Sequence, residues 1–252
     1  MPKVKVAWFD FTCCEGCQVE MTNFGEPFLQ LLEHIEVVEF RETMSEKTTE
    51  PIDVAFIEGS FTREEDRARL EEIRERAGIV VAYGSCAATG GINALRNHQE
   101  MDYFKQAVYG DDKDMPHLDT LPEAMPISES IKVDYAIPGC PIDKYEFIRV
   151  VYQLVHGTTK VYIPSYPVCV ECKRNETVCR YDEGDHCMGM VARAGCGAPC
   201  PADGIPCEAC RGMVDNPNRK ALEKVLQENG GLDANWAKTK SRMFTATFRE
   251  EK

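Results

Sequence analysis

Thirteen of the 252 residues are cysteine, and their spacing is the chemistry of this chain. Eight crowd between Cys169 and Cys210, reading C-x₂-C-x₆-C-x₇-C and then C-x₃-C-x₆-C-x₂-C. Cys13, Cys14 and Cys17 lie near the start, and Cys86 and Cys140 stand alone in cysteine-free sequence. Sets of four thiolates with short C-x₂-C chelates hold [4Fe–4S] clusters or structural zinc. The thirteen divide as four, eight and one spare, which points to three [4Fe–4S] clusters and a protein that conducts electrons. Zinc is redox-silent; a zinc-stapled scaffold accounts for the late octet but leaves the upstream four without a purpose.

The upstream four require elements that bring distant residues together. Val4 to Phe9, Val54 to Ile57, Ile79 to Tyr83 and Val133 to Ile137 are short apolar runs separated by helix-length segments, the pattern of a parallel sheet. Thr62 is the expected cap of a helix that buries Leu70, Ile73 and Ala77, with Glu65–Arg69 and Glu72–Arg76 pairs on its wet face. Lys144 to His156 reads as a second helix, with Phe147, Ile148, Val151 and Leu154 facing inward. The fold class is a flavodoxin-like α/β sandwich over residues 1–163, followed by an irregular cysteine-rich iron–sulfur domain over 164–252. In open α/β sheets, ligands sit beyond the carboxyl ends of the strands. Cys14 and Cys17, Cys86 and Cys140 each follow such an end, so three loops deliver four thiolates to one edge.

Those loops carry small residues for close backbone approach: Cys14-Glu15-Gly16-Cys17, Gly84-Ser85-Cys86 with Gly90-Gly91, and Pro138-Gly139-Cys140-Pro141. Cys13 is the spare and reads as a packing thiol, although it could replace Cys14. In the octet the simplest grouping is sequential: Cys169, Cys172, Cys179 and Cys187 for one cluster, Cys196, Cys200, Cys207 and Cys210 for the other. Ligand swapping between the two sets stays open. His186 is an alternative ligand beside Cys187, read more simply as a loop histidine. His34, His98, His117 and His156 show no metal spacing. Glu15 and Glu20 flank the first set and read as surface acids. No catalytic triad or phosphate-binding loop stands out, and Gly90-Gly91 lacks the Lys-Ser/Thr of a P-loop.

From Pro164 to Gly212 periodicity disappears under Pro, Gly and Cys, so this segment is expected to have little core of its own and to fold around metal. A helix capped by Asn216 and stopped by Gly230-Gly231 follows, then a tail in which Trp236, Phe244 and Phe248 should pack across a surface. A net charge of −13 offers nucleic acid no basic stripe. No apolar run approaches the ~20 residues that span a bilayer. Without a recognisable export signal, the expectation is a cytoplasmic protein whose dense cysteine serves metal chemistry rather than disulfides.

The combination Cys14-x₂-Cys17, Gly84-x-Cys86-x₃-Gly90 and Pro138-Gly139-Cys140-Pro141, followed by the late octet, resembles the small subunit of [NiFe] hydrogenases over residues 1–212. The first set also resembles the 20-kDa-type cluster subunit of NADH-quinone oxidoreductase, which often carries a tandem cysteine like Cys13-Cys14 but holds one cluster. The resemblance implies that Cys14, Cys17, Cys86 and Cys140 hold a proximal cluster facing a large subunit that owns the nickel–iron site. It implies a medial cluster on Cys196, Cys200, Cys207 and Cys210, and a distal one on Cys169, Cys172, Cys179 and Cys187. Cys169 replaces the distal histidine of periplasmic members, and Cys200 adds a fourth medial ligand where those members often have three. Both departures resemble the cytoplasmic, bidirectional group, whose partners are flavin or iron–sulfur subunits using NAD(P), cofactor F420, ferredoxin or heterodisulfide reductase.

Overall fold

The computed structural model describes residues 3–111, 120–158 and 160–247. Among the described residues five strands form the sheet: β1 (Val4–Asp10), β2 (Ile35–Phe40), β3 (Ile52–Glu58), β4 (Ala77–Tyr83) and β5 (Tyr135–Ile137). All four pairings are parallel, in the order β2-β1-β3-β4-β5. This is the doubly wound order with helices on both faces, so the central strands are apolar on both sides. Side chains alternate between two cores. Trp8, Phe56, Val81, Tyr83 and Ile137 face one way, and Ala7, Phe9, Ala55, Ile57, Val80 and Ala82 the other.

Helices α1 (Gly16–Thr22) and α2 (Glu26–Leu31) precede β2, α3 (Asp66–Arg76) precedes β4, and α4 (Ser85–Thr89) and α5 (Met101–Tyr109) follow it. Helix α6 (Lys144–Val155) follows β5. Phe147, Val150, Val151 and Leu154 of α6 meet Met21, Leu31, Trp8 and Phe56 in the first core; Ile148 packs at its rim. Trp8 and Phe56 stack at 5.2 Å, and Phe56 meets Phe147 edge-on at 5.4 Å. Leu70 and Ile73 of α3 fill the second core, joined by Ala77, which has already entered β4.

Strand β2 was not legible as a strand. It is the sheet edge, paired among the described residues only with β1, and Glu36 and Glu39 break its apolar run. Helix α3 starts at Asp66 behind Glu65, not behind Thr62. The Thr62 hydroxyl is taken instead by Thr12, 2.5 Å away, and its carbonyl by Leu121. The Glu72–Arg76 pair forms at 3.0 Å, but Arg69 leaves Glu65 to donate to the Asp10 carbonyl. Strand β5 is shorter than the apolar run because the Asp134 carboxylate accepts both the Val80 amide and Arg74.

The remaining helices are α7 (Cys169–Arg174), α8 (Pro199–Ala202), α9 (Arg219–Glu228) and α10 (Ala234–Lys240). Helix α9 is capped by Asn218, whose side chain accepts from Ala221, rather than by Asn216. It ends just ahead of Gly230 and Gly231. The cysteine-rich segment has more core than its composition suggests: Val168, Met188, Val191 and Met213 bury against Leu222, Leu226 and Ala237 of α9 and α10. The tail then crosses to α4, where Thr247 donates to the Thr89 carbonyl and Thr89 to that of Phe244. Phe244 is buried, Trp236 is exposed, and Phe248 lies outside the described residues, as does His117.

Phe56 joins the two aromatic layers of the first core, so Phe56→Ala should cost about 3–5 kcal/mol, within the range for large cavities. Thermal unfolding monitored by circular dichroism is expected to show the loss as a clearly lowered midpoint.

Candidate metal centres

The carboxyl edge of the sheet gathers the upstream thiols. After β1 the chain turns through Cys13 and Cys14, and Glu15 adopts a left-handed conformation (φ +60°) to start α1. Cys17, in the first turn of α1, is buried, and Tyr83 at the end of β4 donates to its carbonyl at 2.8 Å. Glu58, the last residue of β3, accepts the amides of Cys17 and Gln18, each at 3.2 Å, and the Gln18 side chain at 3.0 Å. Burial raises the Glu58 carboxyl above its usual range, against those hydrogen bonds. β4 leads through Gly84 into α4, which carries Cys86; β5 leads through Gly139 to Cys140. Ser85 ties the last two loops, donating its amide to the Gly139 carbonyl at 2.8 Å and accepting the Gly139 amide on its hydroxyl at 3.2 Å.

Glycine is required where these loops approach sulfur. At Gly84 (φ +86°) a Cβ would stand 2.5 Å from the Cys17 Sγ. At Gly91 (φ +56°) it would press the Cys86 backbone and sulfur at about 3 Å. The four thiols share one electrostatic environment. Burial pushes Cys86 up to about 12, with Cys140, Cys14 and Glu58 adding to it. Burial raises Cys140, with Cys14 and Glu58, and raises Cys17, with Glu58 and then Cys140. Cys13 is also close: burial lifts it to about 12, followed by Glu58 and, more weakly, Cys86.

The late octet forms two more neighbourhoods. Cys169 and Cys172 lie on α7, Cys179 precedes a 3₁₀ turn (Arg180–Glu183), and Cys187 is buried. Burial lifts Cys169 to about 11, followed by Cys187, Cys172 and Cys179. Cys187 Sγ accepts the amides of Gly189 and Cys207, each at 3.4 Å. Cys196 sits between Gly195 and Gly197, whose amides donate to the Glu171 carboxylate at 2.8 and 3.1 Å. Cys200 lies on α8; Cys207 is buried and Cys210 half-buried. Burial holds Cys207 well up, then Cys187, Cys210 and Cys196; Cys210 is raised by burial and by Cys140 and Cys200.

These interactions set an order in space that differs from the order in sequence. Ser85 beside Cys86 donates to the Cys210 carbonyl and Arg211 beside Cys210 donates to the Pro138 carbonyl, so the 196–210 segment adjoins the upstream loops, while the Cys207 amide donates to Cys187 Sγ at 3.4 Å and joins it to the 169–187 segment. The 196–210 set therefore lies between the other two. All thirteen thiols are free. Among the described residues, no three metal-binding side chains converge as one small ion demands. Desolvated thiols, a sulfur that accepts two amides and glycines pressed against sulfur fit an iron–sulfide cluster.

Several residues around the sulfurs escaped the sequence reading. Arg211, only 2 % exposed, donates through Nε to the Ala194 carbonyl at 2.8 Å and through Nη1 to that of Pro138 at 2.6 Å. Its Nη2 lies 2.7 Å from Glu146, on the inner face of α6. Burial raises the Glu146 carboxyl while Arg211 pulls it down. A charge inside the apolar stripe of α6 and one abutting Cys210 were the available signals. His186 faces carboxylates: Nδ1 is hydrogen-bonded to Asp185 at 2.9 Å, and Nε2 lies 3.5 Å from Glu208. Glu15 pairs with Arg41 and Glu20 with Lys144.

Fold and thiols together define a doubly wound α/β protein whose carboxyl edge and trailing segment are lined with cysteine. The family model for the NADH ubiquinone oxidoreductase 20-kDa subunit matches residues 14–154. Sulfhydrogenase 2 subunit delta of Pyrococcus furiosus is 35% identical, covering 89% of this chain and 93% of its own. A subunit of the F420-non-reducing hydrogenase of Methanocaldococcus jannaschii is 33% identical over 84% of this chain and 83% of its own. A solved chain of an NAD+-reducing [NiFe]-hydrogenase in the H2-reduced state superposes with a TM-score of 0.58 at 28% identity, covering 65% of this chain and 96% of that one. The chain belongs to the [NiFe]-hydrogenase small-subunit family, related to the 20-kDa subunit, whose members are subunits of oxidoreductase complexes. Among the described residues, no helix is long and apolar enough to cross a membrane.

Gly84→Ala is expected to push the Cys17 sulfur from its place and lower the bound iron while far-UV circular dichroism is retained. Unchanged iron in that variant would show that this sulfur is not confined by Gly84.

Proposed function

We propose that this chain is the electron-transfer subunit of a cytoplasmic [NiFe] hydrogenase, conducting electrons between a partner's nickel–iron site and an external acceptor. Cys14, Cys17, Cys86 and Cys140 hold the proximal [4Fe–4S] cluster; Cys196, Cys200, Cys207 and Cys210 the medial one; Cys169, Cys172, Cys179 and Cys187 the distal one. Each cluster, when bound, takes up and releases one electron at a time at a potential set by its surroundings. The observation that carries the reading is the spatial order of the three thiol sets, with the 196–210 segment hydrogen-bonded to both of the others. A series of redox centres needs such an order, and a set of independent zinc staples does not.

The protein's own part is to hold thiols out of water, offer amides to sulfur and fix the loops against one another. Cys140 and Cys14 are exposed at the sheet edge, which suits a face covered by the large subunit. Cys179, exposed at the opposite end of the series, suits the exit toward the acceptor. That acceptor belongs to flavin or iron–sulfur partner subunits of the kinds serving NAD(P), cofactor F420, ferredoxin or heterodisulfide reductase. The names of the relatives above support hydrogenase membership and differ in the acceptor they indicate.

Two variants of the complex test the assignment. Cys86→Ser should disconnect the partner from every acceptor, abolishing dye reduction by H2. Cys207→Ser should remove about four irons from the chain, one cubane, while H2 activation on the partner, read as H/D exchange, survives. Full dye reduction by the first variant, or unchanged iron in the second, contradicts the assignment.

A further inference from the structure

Arg211 stands where the upstream and the middle thiol sets meet. It adjoins Cys210 in the chain, its Nε binds the carbonyl two residues before Cys196, and its Nη1 binds the carbonyl two residues before Cys140. One rigid guanidinium thus ties three cysteine-bearing segments. Ser85, next to Cys86, donates to the Cys210 carbonyl and extends the same bridge to a fourth. The counter-charge comes from another layer, Glu146 of α6, and both side chains are almost fully buried. Gly195 is open to let them meet: a Cβ there would collide with Arg211 Nη2 and stand 2.7 Å from Glu146 Oε1. A guanidinium buried this deeply requires a counter-charge whatever its role; here the carboxylate stands on α6 while the cation adjoins Cys210, so a fixed charge pair lies against the thiol sets.

We propose that the Arg211–Glu146 pair is a positioning and potential-setting device for electron transfer between the proximal and medial sites, with Arg211 favouring the reduced state of the medial one and Glu146 moderating it. The inference rests on the cluster assignment proposed above. Reducing a cluster adds a negative charge, and a permanent cation beside it in a low-dielectric interior stabilises that added electron. Removing the cation must lower the potential, and removing the anion must raise it.

The test is an EPR-monitored redox titration of the anaerobically purified complex carrying Arg211→Met, Glu146→Gln or Arg211→Lys, with iron and acid-labile sulfide counted in each. Arg211→Met is expected to lower the midpoint of one cluster so that its reduced-to-oxidised ratio at fixed potential falls by about tenfold, which is about 59 mV for one electron. Glu146→Gln should move the same signal upward, and Arg211→Lys, which keeps the charge, should hold it within about twofold of the wild-type ratio. Unmoved midpoints with full sulfide content overturn the proposal. So do shifts in the same direction for Met and Gln, or loss of sulfide in all three variants, each of which would leave the pair a structural staple only. Wild-type complex without sulfide on this chain would instead refute the underlying assignment.

Discussion

A thiol taken out of water resists ionisation, and several placed side by side resist it more. Cys13 and Cys86 are driven to about 12 in this way, and Cys17 and Cys207 are raised as well. An arrangement of this kind is unfavourable as an array of bare thiolates. It becomes favourable when the sulfurs share a cationic iron–sulfide core, because the metal supplies the charge that burial and mutual repulsion demand. Much of the rest of the molecule follows from that constraint: the chain must converge without a side chain filling the space the core takes up.

The sheet solves the first part of the problem. Parallel strands end on one edge, so residues far apart in sequence arrive together, and Gly84 and Gly91 let the loops close on the sulfurs in conformations other residues resist. The trailing segment, whose described residues form isolated bridges but no strand, uses turns, short helices and the Glu171 carboxylate to present its thiols. Helices α9 and α10 then give it a modest apolar core, and the tail ties that core to α4 through Thr89 and Thr247. The sheet and the cysteine-rich segment are therefore joined by ordinary packing and by the buried Arg211–Glu146 contact, not by the sulfurs alone.

The central strands and helix α6 were legible from uninterrupted apolar patterns, α3 from the Leu70–Ile73 stripe alone, and the position of the upstream cysteines just beyond strand ends made the shared edge legible with them. Strand β2 was not, since Glu36 and Glu39 on an exposed edge erase the pattern on which recognition depends. Helix starts slipped where a capping hydroxyl had another partner, as Thr62 has in Thr12, or where a second asparagine stood nearby, as Asn218 does. The partners of the site were the least legible part. Glu58, Glu146 and Arg211 act through contacts across 17 to 73 residues of sequence, and no local pattern encodes such distances.

Acid-labile sulfide distinguishes three iron–sulfide clusters on the upstream four and the late octet from zinc sites, which carry none. In anaerobically purified complex, about 12 sulfides are expected per copy of this chain, four for each cubane, with the brown absorption that accompanies them. Colourless protein holding zinc and no sulfide would contradict the account.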